Sequence, residues 1–122
     1  MKILRIDPGQ TPKETEISGT LESMQSMVGG LIQVIYPFEA AVALVCGDEA
    51  KLQGLPLNRA LRDDAGHICD VIAGTFFLCG APWDSDTFES LSEEQLKQYT
   101  ERFRHPEIFI WLGKEILCLP AD

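Results

Sequence analysis

Histidine and cysteine, which build most metal and nucleophilic sites, are scarce here: two and four among 122 residues. No CxxC pair occurs. The four thiols Cys46, Cys69, Cys79 and Cys118 are scattered, and on an unbroken strand Cys69 and Cys79 would stand about 33 Å apart, beyond any disulfide or shared metal. Each lies in an apolar run, so the reading is reduced, structural thiols. His67 and Cys69 share a strand face two residues apart, but a metal site needs two more ligands that nothing here announces. No metal and no cofactor are expected. There is also no phosphate-binding loop, dinucleotide fingerprint, nucleophile elbow or zinc-protease motif.

Positive charge is in short supply as well. Ten Lys and Arg stand against nineteen Asp and Glu, a net charge of −9. A field of that sign repels phosphate backbones and excludes direct, sequence-general nucleic-acid binding. The acidic residues are dispersed, with one basic-free cluster from Asp84 to Glu94 that reads as a solvated face. No apolar run approaches the ~18 residues of a membrane helix, so no membrane partner is expected. Met1-Lys2-Ile3 runs straight into a strand-like pattern rather than a signal peptide, which points to the cytoplasm.

What is present suits a single α+β domain over 1–122, with mostly antiparallel or mixed sheet, two helices and a C-terminal hairpin. A chain of this length buries roughly two-thirds of its unfolded surface, enough core to need no staple. Residues 2–6 alternate as a first strand and Asp7-Pro8-Gly9 is turn chemistry. Residues 13–18 read as a second, exposed strand. A helix over 20–28 is capped by Ser18 or Thr20, buries Leu21, Met24 and Val28, and stops at Gly29-Gly30. Segments 31–36 and 40–46 form an antiparallel pair. The segment 68–79 reads as one central strand, apolar on both faces, with Gly74 marking a bulge or a close backbone approach. Ser92-Glu93-Glu94-Gln95 is a capping box, and Leu91 with Leu96 a hydrophobic staple, for a second helix over 92–104. Pro106 ends it. Ile108–Leu112 and Glu115–Leu119 flank Gly113-Lys114 as a hairpin with a type II′ turn. Two helices would cover one face of such a sheet. The other needs a partner, and a homodimer is expected.

The densest polar, non-acidic group lies in the loop from Gly47 to Gly66. Leu52, Leu55, Leu57 and Leu61 would pin the loop, and one helical turn from Asn58 would leave Asn58, Arg59 and Arg62 pointing outward. Arg59 and Arg62, three apart, would then share a side and grip a carboxylate or phosphate. Asp70 is the lone carboxylate inside the apolar strand. It reads either as a solvated strand end or as a ligand-site residue. The alternative for the arginines is pairing with Asp63, Asp64 or the 84–94 loop. The candidate ligand-binding set is therefore Asn58, Arg59, Arg62 and Asp70. No catalytic residue is assigned, because Asp70 is the sole candidate general base.

Three stretches carry a resemblance: LESMQSMVGG at 21–30, GLPLNRAL at 54–61 and DVIAGTFFLCG at 70–80. In that order and spacing the chain resembles an uncharacterised family of small proteins, a domain of unknown function encoded on phages and conjugative elements of low-GC Gram-positive bacteria. The likeness runs from the first helix to the second and leaves out the final hairpin. It implies an accessory role in a mobile element and brings no activity, cofactor or catalytic residue. The leading expectation is a non-enzymatic binding protein for a host protein or a small anionic ligand. The alternatives are a small enzyme acting on a nucleotide-like substrate and a structural or regulatory oligomer without ligand.

Overall fold

A computed structural model describes residues 1–121. Its elements in chain order are β1 (Lys2–Ile6), β2 (Lys13–Glu16), α1 (Leu21–Val28), β3 (Ile32–Ile35), β4 (Val42–Gly47), β5 (Leu57–Arg62), β6 (Ile68–Ala73), β7 (Phe76–Gly80), α2 (Glu93–Arg102), β8 (Glu107–Leu112) and β9 (Glu115–Pro120). This is an α+β fold. Five strands form one antiparallel sheet in the order β2-β1-β7-β4-β3, while β5-β6 and β8-β9 form two separate ribbons.

Alternation along the inner strands builds two cores, one on each side of the sheet. Leu4, Ile6, Val42, Leu44, Phe76 and Leu78 face α2 and pack with Leu91, Leu96, Tyr99 and Phe103. Leu61 and Ile72 from the β5-β6 ribbon complete that layer. Ile3, Ala43, Val45, Phe77 and Cys79 point the other way, onto Met24 and Val28 of α1. The helices thus lie one per face. This corrects the expectation that both would cover the same face and leave the second to a partner subunit. The reason is topological: α1 precedes β3 and α2 follows β7, and the two connections leave the sheet on opposite sides. Leu21, expected inside, stays exposed at the first position of α1.

Both helices are terminated by the residues the sequence supplies. Thr20 accepts the Ser23 N–H, and Gly29 closes α1 with φ +81°. Ser92 and Gln95 exchange both bonds of the capping box. Gly113 opens the last hairpin at φ +65° and no non-glycine residue has positive φ, so Lys114 completes a type II′ turn.

The segment 68–79 is two strands, not one. Gly74, at φ +72°, breaks it; the Gly74 N–H donates to Pro56 O at 2.7 Å, and a Cβ there would sit 3.0 Å from Leu55 Cδ1. The chain therefore leaves the β5-β6 ribbon and enters the centre of the main sheet as β7, between β1 and β4. Phe76, Phe77, Leu78 and Cys79 are wholly buried. The expected helical turn after Asn58 is instead strand β5, antiparallel to β6, with register shifts between Leu57 and Arg59 and between Leu61 and Arg62. Leu52 is 87% exposed and pins nothing. Cys69 is exposed rather than hidden in its apolar run. No helix among the described residues is long and apolar enough to cross a membrane.

Candidate functional site

The four residues singled out in the sequence do not form one surface. Asn58 and Arg59, expected to point outward, are 0% and 1% exposed. The strand geometry explains it: β5 closes over the α2-side core and carries both side chains into the seam between its ribbon, β1 and the end of α2. There, Asn58 Nδ2 donates to Ile6 O at 2.9 Å and to Gly74 O at 2.8 Å. Its Oδ1 accepts from Arg59 Nη1 at 2.8 Å.

Arg59 uses its entire donor inventory. Nε and Nη2 reach Phe103 O at 3.2 and 3.0 Å, Nη1 reaches Asn58 O and Oδ1, and Nη2 also reaches Gln10 O. Phe103 is the C-cap residue of α2, so the guanidinium sits where carbonyls lack partners and the helix dipole is negative. Burial pushes its pKa down, and the Glu107 carboxylate opposes the shift. Arg59 is a structural clamp joining β5, the β1-β2 turn and α2.

Asp70 lies elsewhere. It is exposed, accepts Lys51 Nζ at 2.8 Å and bonds the N–H of Val71. Arg62 pairs with neither Asp63, Asp64 nor the acidic loop. Its Nη2 donates to Glu107 Oε1 at 2.6 Å, while Glu107 Oε2 accepts the Ala60 N–H at 2.8 Å.

Around that last pair lies a cleft of about 290 Å³, walled by Arg59, Ala60, Leu61, Arg62, Arg102, Phe103, His105, Glu107 and Pro120. Positions three apart on a regular strand face opposite ways. The register shift before Arg62 re-phases β5, so that Arg59 and Arg62 border the same cleft. Three guanidiniums stand here against one carboxylate, a local balance of +2 within a chain of −9. Arg102, at the last turn of α2, lies over the Phe38 ring at 4.8 Å and holds its planar edge by cation–π contact. Arg102, His105 and Glu107 belong to this site and escaped the sequence reading, which assigned Arg102 and His105 to the helix dipole. A usable signal was there, a run of basic residues ending a helix directly before a carboxylate.

Among the described residues, no three His, Cys, Asp or Glu side chains converge as a metal would require. His67 Nδ1 lies 3.6 Å from Asp63 Oδ2 across the β5-β6 turn. Burial raises the Cys46 and Cys79 thiols, Cys79 to about 12, which keeps both protonated.

Compared with known proteins, the chain matches one family over residues 1–104, described as Domain of unknown function (DUF3846). No curated protein and no solved structure matches it.

Proposed function

The chain belongs to the DUF3846 family, a domain of unknown function, and from that premise we propose a non-enzymatic accessory binding protein of a mobile element. It works in the cytoplasm as a homodimer and holds a small anionic ligand in the cleft between β5, the end of α2 and the start of β8. The observation that carries this reading is the +2 wall of Arg59, Arg62 and Arg102 against Glu107 in an otherwise acidic molecule. Arg59 is spent internally and Arg62 is shared with Glu107. Arg102 and Arg62 thus supply the guanidinium edges that a carboxylate or phosphate grips bidentately. The half-apolar wall formed by Leu61, Phe103 and Pro120 suits the body of an organic anion better than a bare ion.

Calorimetric titration with citrate, inorganic pyrophosphate and a nucleoside diphosphate tests the reading. At least one should bind, and Arg102→Ala should weaken it by roughly 10- to 100-fold, the worth of one charge-assisted bond. The fold should be untouched. Absence of heat with all three, together with no retained small molecule in native mass spectrometry of protein from its natural host, would sink the proposal.

A further inference from the structure

The terminal hairpin β8-β9 is turned inside out relative to an ordinary surface ribbon. Directly paired residues share a face, and the pairs Ile108↔Leu119, Ile110↔Leu117 and Leu112↔Glu115 all project to the same side. A solvated antiparallel face should be polar. This one presents Ile108, Ile110, Leu112, Leu117 and Leu119, each between 40% and 56% exposed, with Glu115 its sole charge. The opposite face carries Glu107, Phe109, Ile116 and Cys118, and these are the half-buried members of the hairpin. Trp111, 66% exposed, stands at the tip beside the open face. A two-stranded ribbon alone is marginal in water, and these strands lie beyond the residues matched to the family.

We propose that this aliphatic face is where a second copy of the chain docks, hairpin against hairpin across a two-fold axis. Area and charge both select that occupant. Covering the five aliphatic side chains removes roughly 400 Å² from each copy, and with Trp111 at the rim the total reaches about 1,100 Å², just past where specific interfaces begin. Charge decides between partners. Residues 107–120 hold Glu107, Glu115 and Lys114, a balance of −1, and the rest of the chain carries the other −8. Glu107 is turned inward onto Arg62. The hairpin face is therefore where two strongly acidic copies can meet without bringing carboxylates together. An anionic lipid surface would repel the remainder of the molecule. The inference rests on the homodimer reading and is independent of the anionic ligand.

Sedimentation equilibrium of the full chain between about 1 and 100 μM tests it, beside Trp111→Glu and Ile110→Lys, with circular dichroism to confirm that each variant folds. Both substitutions fall on exposed side chains of the ribbon. The wild type should fit a monomer–dimer equilibrium that tightens as salt screens the −9 charges, and each folded variant should weaken it at least tenfold. A wild type that stays monomeric to 100 μM overturns both the homodimer reading and this interface, including when the monomer instead floats with liposomes. A dimer left intact in both folded variants overturns this interface alone. If one variant misfolds, the other decides; if both do, loss of the wild-type dimer as salt rises overturns the interface and tightening supports it.

Discussion

At Arg59 the chain commits a full positive charge to its interior without an acid in direct contact. Five carbonyl-type bonds replace water, among them two to the open end of α2. Arg59→Ala would strand the Phe103, Gln10 and Asn58 acceptors and leave a cavity, and the expected cost is about 3–5 kcal/mol, on the scale of breaking a buried charged network. Arg59→Lys should recover little, because an ammonium has three donors and no fork. The neighbouring Arg62→Ala breaks a half-exposed pair and should cost under about 1 kcal/mol. Urea titrations of the three variants separate the two roles, and equal losses at 59 and 62 would refute the clamp. Cys79 makes a second prediction. Its folded pKa is raised to about 12 from an ordinary 9.0 by burial. Between those values the unfolded chain has lost a proton that the folded one keeps, so this contribution falls as pH rises. From pH 8 to 10.5 the wild type should lose about 2 kcal/mol more than Cys79→Ala. Parallel pH curves for the two would contradict that burial.

Among the elements, the turn at Gly74 decides how the β5-β6 ribbon joins the sheet. Gly74→Ala meets both a positive φ of +72° and a Leu55 contact at 3.0 Å. It should destabilise by roughly 1–3 kcal/mol in thermal unfolding. Gly74→Ala paired with Leu55→Ala would regain the steric part and leave the backbone part. At α2, the capping box makes Ser92→Ala worth about 1 kcal/mol, because the Gln95 N–H loses its acceptor while the helix keeps its buried Leu96 and Tyr99. A Ser92→Ala protein as stable as wild type would mean that packing alone holds this terminus.

The whole molecule has a graded stability that follows from its layers. β7 sits at the centre of the main sheet with a core on either side, and its side chains from Phe76 to Cys79 are fully buried. The β8-β9 ribbon touches the body along one face only. Amide hydrogen exchange should accordingly be slowest in β1, β4 and β7, approaching global unfolding, and fastest in β8 and β9 at low protein concentration. Dimerisation through the hairpin would slow β8 and β9 selectively as concentration rises. Uniform protection across both regions would contradict the layered picture.

Local chemistry was enough to locate both helices, their caps, the antiparallel pair at residues 31–46 and the terminal hairpin, because each rests on short-range patterns: a capping box, a C-cap glycine, a two-residue turn. The sequence alone also determined the acidic field and the two-sided apolar character of residues 76–79. Tertiary structure decided the rest. Whether Gly74 ends a strand depends on Leu55 and Pro56, some twenty residues away in the chain. Whether Asn58 and Arg59 point out or in depends on Phe103, Gln10 and Ile6, whose carbonyls converge only once three elements meet. A polar cluster is the same string of letters on a surface or in a seam. What separates the two is the desolvation that packing imposes, and the acceptors that packing brings to offset it.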